Sequence, residues 1–130
     1  MLKGKKILCI IPARGGSKTI KNKNLLTLGK KNLVQHVIDY AKSVPYLDKI
    51  ILSSDSKKIL KIGDIHKIDT IKRTKRNSKD QSLVVTAISE TIDYYKKKKI
   101  FFDIVVLLEP TCPFRKKKYL HNCLKILVTK

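Results

Sequence analysis

Three short apolar runs, at residues 7–11, 50–52 and 104–108, constrain the fold more than any other feature of the chain. They are rich in isoleucine and valine, and their polarity is continuous instead of alternating. A strand of that kind must be covered on both faces, which is the condition of a parallel sheet packed between helices. Between the runs, apolar residues recur at helical spacing. Leu33, Val34, Val37, Ile38 and Ala41 share one face of a helix over 33–42, and Val84, Ile88, Ile92 and Tyr95 share one over 82–97. Asp80 or Ser82 can cap the latter, and the lysines at 96–99 suit its carboxyl end, where cations meet the helix dipole. Tyr119, Leu120, Cys123, Leu124 and Leu127 predict a further helix over 116–127. Ile59, Ile62 and Gly63 predict a shorter helix after the second run, and 67–71 a small strand. Strands alternating with helices in this order predict an α/β fold: a doubly wound, mostly parallel sheet with right-handed crossovers.

A chain of 130 residues makes one domain with a real core. No apolar stretch approaches the roughly 18 residues of a membrane span, and although the first eleven residues faintly resemble a signal peptide, their apolar run is too short and no small-residue cleavage site follows. The expectation is a cytoplasmic protein without a membrane partner. Cys9, Cys112 and Cys123 have no metal-ligand spacing, and His36, His66 and His121 are scattered, so no metal site is predicted from them. Cys9 and Cys123 fall within apolar patterns and read as reduced core residues. The net charge of +20 invites a nucleic-acid reading. It comes almost wholly from lysines spread along the chain, with arginine only at Arg14, Arg73, Arg76 and Arg115, and no basic–aromatic alternation offers a stacking surface. Nonspecific attraction to polyanions follows from the charge; a specific nucleic-acid function does not.

Chemistry concentrates where strands end. The first run passes through Pro12-Ala13 into Arg14-Gly15-Gly16-Ser17-Lys18, followed by Lys21-Asn22-Lys23-Asn24. Backbone N–H groups freed by such a turn form a concave anion site, and adjacent glycines let a ligand approach the backbone closely. Arg14, Lys18 and Lys23 can neutralise phosphate there. The order fits neither a P-loop nor a dinucleotide fingerprint. Ser53-Ser54-Asp55 follows the second run, and Glu109-Pro110-Thr111-Cys112-Pro113-Phe114-Arg115 the third. In a doubly wound sheet these segments converge beyond the carboxyl ends of the strands, where ligands bind. Plainer readings stand beside these: Lys18 as a solvated loop lysine, Asp80 as a helix cap alone, Ser53-Ser54-Asp55 as a turn and cap, and Pro110 and Pro113 as shapers of a turn.

Ile11-Pro12-Ala13-Arg14-Gly15-Gly16-Ser17-Lys18 with Lys23-Asn24-Leu25 resembles the signature of the acylneuraminate cytidylyltransferases, which activate sialic, legionaminic or pseudaminic acid. Leu52-Ser53-Ser54-Asp55, Arg73 followed by Asp80, and the 107–115 segment resemble further motifs of that family in order and spacing. The resemblance implies a Rossmann-like sheet of the nucleotide-diphospho-sugar transferase type. It implies transfer of CMP from CTP to an acidic nonulosonic sugar, with Mg²⁺ and release of pyrophosphate. By the same resemblance, Arg14 and Lys23 would hold the triphosphate and stabilise charge growing on it. Gly15, Gly16, Ser17 and Lys18 would complete the cradle, and Asn24, Arg73, Asp80 and Ser82 would bind the nucleotide. Glu109, Thr111 and Arg115 would face the sugar.

Two departures stand out. Glu109 occupies a position where the family usually has Gln, exchanging a donor–acceptor for an acceptor-only anion beside an anionic sugar. That arrangement calls for compensation by Arg115 or a lysine. In addition, no Asp-x-Asp pair follows Arg115. The resemblance thus implies a truncated fold: residues 1–130 form the nucleotide-binding part, while the metal aspartates, acceptor-binding half and dimerisation element of a full-length homodimer are absent. The competing readings are a noncatalytic nucleotide- or polyanion-binding module and a related nucleotidyltransferase such as a Kdo-activating enzyme. The Pro-Thr-x-Pro-x-Arg segment argues against the Kdo branch.

Overall fold

A computed structural model of the chain describes residues 4–13, 27–28, 31–72 and 83–108. The order is β1 (Ile7–Pro12), β2 (Thr27–Leu28), β3 (Lys31–Asn32), α1 (Leu33–Lys42), β4 (Lys49–Ser54), α2 (Lys57–Ile65), β5 (Asp69–Lys72), α3 (Leu83–Lys97) and β6 (Ile104–Leu107). Four of the strands form a parallel sheet in the order β5-β4-β1-β6, and β2 and β3 form a separate antiparallel pair. The expected parallel α/β sheet is present. The β2–β3 ribbon was not anticipated, although a Gly29-Lys30 dipeptide between two short segments is a hairpin signal. The helix expected over 116–127, along with Cys112 and Cys123, lies outside the described residues.

The continuity of the first run has the consequence it should. Every residue from Ile7 to Ile11 is fully buried, because the two faces of β1 meet different layers. Ile7, Cys9, Ile11 and Ala13 pack with Val34, Val37, Ile38 and Ala41 of α1 and Ile59 of α2. Leu8 and Ile10 pack on the other face with Ile51 and with Tyr95 and Ile88 of α3. Strand alternation sorts the side chains, and the crossover from β5 over the sheet to β6 carries α3 to the second face. Burying each such side chain is worth about 1.5–3 kcal/mol, so this run anchors the domain.

Local chemistry sets the helix ends. Asn32 accepts from the Gln35 N–H at 2.8 Å while the Gln35 side chain accepts from the Asn32 N–H at 2.9 Å, a reciprocal cap that starts α1. Ser56 caps α2. The lysine run ends α3 as expected: Lys99 adopts a left-handed φ of 61°, and the Ile100 N–H returns to the Tyr95 carbonyl at 2.9 Å. Gly63 of α2 sits where an added Cβ would fall 2.6 Å from Thr70 Cγ2 and 2.9 Å from Leu52 Cδ2, so its lack of a side chain lets α2 lie close on β4 and β5.

At the amino ends of the strands, β1 is clasped from both sides by the same device. The Asp48 N–H donates to the Ile7 carbonyl at 2.9 Å, and its carboxylate accepts from the Ile7 N–H at 2.6 Å. Asp103 repeats this with Lys6, its N–H donating at 2.9 Å and its carboxylate accepting at 2.8 Å. Burial alone would raise the Asp48 carboxyl, but the Ile7 N–H, chief among the opposing causes, together with nearby positive charge holds the pKa below its ordinary value.

Candidate functional site

A parallel sheet brings the carboxyl ends of β1, β4, β5 and β6 to one edge, at Pro12, Ser54, Lys72 and Leu107. Each is followed by a segment that the sequence marks for chemistry. Arg14, Gly15, Gly16, Ser17, Lys18, Lys23, Asn24, Arg73, Asp80, Ser82, Glu109, Thr111 and Arg115 themselves lie outside the described residues. The described residues fix where those segments start. Ala13, immediately before Arg14, is fastened by its N–H to the Ser53 carbonyl at 2.9 Å, and Leu108, immediately before Glu109, by its N–H to the Ile10 carbonyl at 3.0 Å. Lys72, immediately before Arg73, ends β5 in register with Ser54. The Tyr95 hydroxyl, near the end of α3, donates at 2.6 Å to Asp69, the first residue of β5. The helix therefore runs back along the sheet, and its amino end, at Leu83, lies toward the carboxyl edge. Burial and the Asp69 carboxylate push the Tyr95 phenol well above its ordinary pKa, so it stays a donor.

Between these exits, β4 ends in two buried hydroxyls. Ser54 Oγ accepts from the Ser56 N–H at 3.0 Å, shaping the turn into α2, whose cap is Ser56 and not a residue of the Ser53-Ser54-Asp55 segment. That part of the segment has the structural role weighed for it. Ser53 does not: its Oγ is fully buried and has no hydrogen-bond partner. The sequence placed the Ser53-Ser54-Asp55 segment at this edge but gave Ser53 no role of its own. Asp55 is half-buried at the same edge. A single carboxylate does not make a Mg²⁺ site, and no three His, Cys, Asp or Glu side chains gather to hold a metal among the described residues. The described residues therefore do not fit the Mg²⁺ that the resemblance implies. No helix among them is long and apolar enough to cross a membrane.

A sequence model of the Cytidylyltransferase family matches residues 8–127, nearly the whole chain and all of the edge segments. The chain belongs to the cytidylyltransferase family. Among its relatives, the CMP-N,N'-diacetyllegionaminic acid synthase of Legionella pneumophila is 33% identical over 122 residues, covering 93% of this chain and 53% of the relative. A pseudaminic acid cytidylyltransferase of Campylobacter jejuni is 34% identical over 116 residues, covering 88% of this chain and 50% of the relative. This cytidylyltransferase-family chain thus spans about half the length of those curated relatives. Its fold matches that of a CMP:2-keto-3-deoxy-manno-octonic acid synthetase solved in complex with CTP, with a TM-score of 0.80 at 21% identity over 96% of this chain and 48% of the other. At that identity the likeness bears on the fold alone, and this chain covers about half the length of that structure.

Proposed function

We propose that this chain is the nucleotide-binding half of an enzyme that transfers CMP from CTP to an acidic nonulosonic sugar, releasing pyrophosphate. The observation that carries the reading is the family match over residues 8–127, which takes in every segment leaving the carboxyl edge of the sheet. In the proposed reaction a sugar hydroxyl oxygen bonds to the α-phosphorus of CTP as the bond from that phosphorus to the β-phosphate bridge breaks. Arg14 and Lys23 hold the triphosphate and stabilise the charge passing to pyrophosphate, and the 15–18 backbone cradles its oxygens. Asn24, Arg73, Asp80 and Ser82 bind the nucleotide, while Glu109, Thr111 and Arg115 face the sugar. Relatives named for legionaminic and pseudaminic acids support the sugar class.

Acceptor binding and homodimerisation belong to the further half that the relatives possess. Mg²⁺ is assigned no protein ligand here, and no step is routed through it. With CTP as donor, the proposed place of action is the cytoplasm.

Titration of CTP into the wild-type chain and an Arg14→Ala variant tests the reading. The expected result is saturable CTP binding that weakens at least tenfold in the variant, the scale of a charge-assisted contact to phosphate. Unchanged affinity in Arg14→Ala would remove the loop from its role. Equal binding of DNA and of every nucleotide, falling steeply with salt, would replace the enzyme reading with a polyanion-binding module.

A further inference from the structure

The amino edge of the sheet carries charge and apolar surface that the fold itself does not use. The two most exposed large apolar side chains among the described residues, Ile65 at 68% and Phe101 at 62%, both stand there, at the end of α2 and in the turn from α3 to β6. Phe101 comes just after the exposed lysines 96–99. The lead-in to β1 lies against the same turn, because the Lys6 carbonyl accepts from the Asp103 and Ile104 N–H groups at 2.9 and 3.1 Å. Exposed Lys5 and Lys6 thereby join the cluster. The helix dipole accounts for Lys96 and Lys97 in the last turn of α3, but not for the lysines beyond it. The acid of the turn, Asp103, has its carboxylate committed to the Lys6 N–H at 2.8 Å. Phe102 and Tyr94 are half-buried and pack edge-on against Tyr95, so Phe101 is the ring of this group left to solvent.

We propose that this corner docks on an anionic lipid bilayer: Phe101 enters the boundary between headgroups and acyl chains, and the surrounding lysines meet the lipid phosphates. Reversible attachment of this kind takes two signals, an apolar insertion and a polybasic patch, and both are present here. The ring leaves water, while the long lysine stems let their ammonium groups stay at headgroup level. Duplex nucleic acid offers phosphates but no apolar layer for Phe101. A single strand is held by successive stacking rings, and the rings beside Phe101 are packed inward. A second copy of the chain would set one lysine turn against another. The contact is with a surface and is not a span, in keeping with the lack of a long apolar helix among the described residues. It goes beyond the nucleotide reading and does not depend on it. Docked in this way, the carboxyl edge, at the far end of the strands, faces away from the lipid.

The test is co-sedimentation of the chain with vesicles of equal parts phosphatidylglycerol and phosphatidylcholine, and with vesicles of phosphatidylcholine alone. Binding to the anionic vesicles and none detectable to the neutral ones is expected. Phe101→Ser should weaken it about tenfold. The double variant Lys96→Gln/Lys97→Gln should weaken it by at least about tenfold, at roughly fivefold per lysine. Lys57→Gln/Lys58→Gln removes the same charge from exposed positions at the start of α2, toward the opposite edge, and should change binding by no more than about twofold. All of these side chains are exposed, so the fold is expected to survive each change. Absence of vesicle binding by the wild type would overturn the proposal. Equal losses in the two double variants would do the same, because the attraction would then belong to net charge and not to this corner. Vesicle binding indifferent to Phe101→Ser, tighter binding to DNA weakened by the same variants, or self-association through Phe101 in place of vesicle binding would each overturn it as well. CTP affinity should be unchanged in Phe101→Ser, so each of these failures leaves the nucleotide reading intact.

Discussion

The two edges of the parallel sheet are built on opposite terms. At the amino edge, Asp48 and Asp103 each spend a carboxylate on a backbone N–H of the β1 lead-in, and Asp69 takes the Tyr95 hydroxyl and lies 3.7 Å from Lys49 Nζ. The polar side chains there serve the fold. At the carboxyl edge, main-chain bonds from Ala13 and Leu108 finish the pairing, and a buried hydroxyl at Ser53 is left over. The difference teaches what each edge is built for: the amino edge commits carboxylates to the backbone of the β1 lead-in, and the carboxyl edge joins its strands by main-chain bonds just before the candidate loops begin. The expectation is that substitutions at the two edges have opposite signatures, stability without affinity on one side and affinity without stability on the other.

Asp48→Ala should break the comparison most forcefully if it is wrong. Losing a carboxylate that accepts from the Ile7 N–H removes a charge-assisted bond and orphans a donor beside a fully buried strand. Destabilisation of about 3 kcal/mol is expected in denaturant unfolding, with CTP affinity per folded molecule unchanged. Tyr95→Phe should cost less, about 1.5 kcal/mol, because Asp69 keeps Lys49 nearby. It too should leave CTP affinity alone. The smallest effect is a pH dependence. The Asp48 carboxyl is held below its ordinary value of 3.8 in the folded chain, so the unfolded chain binds its proton first as pH falls. Its contribution is complete above about pH 4 and lost as the pH drops through the folded value. Unfolding curves of wild type and Asp48→Asn should therefore converge in strong acid and separate near neutrality.

How much of this was legible beforehand follows from the range of each interaction. Apolar runs and helical spacing are local signals, and they marked α1 at its observed bounds, the strands β1, β4 and β6, and the lysine-terminated end of α3. The reciprocal Asn32–Gln35 cap is equally local and was readable as a pattern. The aspartate clasps were not, because Asp48 and Asp103 reach partners 41 and 97 residues away. Their lead-in sequences look like ordinary turns until the strands are side by side. Ser53 shows the same limit from the other direction. In sequence it is one of two serines before an aspartate, equally suited to a turn. Only the pairing with Pro12 and Ile71 separates it from Ser54, which does shape the turn. The residues read as the candidate site, from Arg14 to Arg115, lie outside the described residues; the described fold brings the strand ends that precede them to one edge, and their roles are part of the proposal.

Amide hydrogen exchange of the chain with and without saturating CTP tests the central claim most directly, because one experiment reads both edges. Slower exchange on CTP binding is expected in peptides spanning Ala13, Ser53 to Asp55, and Leu108, at the carboxyl edge. Peptides spanning Ile7, Asp48 and Asp103 at the amino edge should be unchanged. Protection confined to the amino edge, or spread equally over both, would contradict the assignment of the nucleotide to the carboxyl ends of the strands.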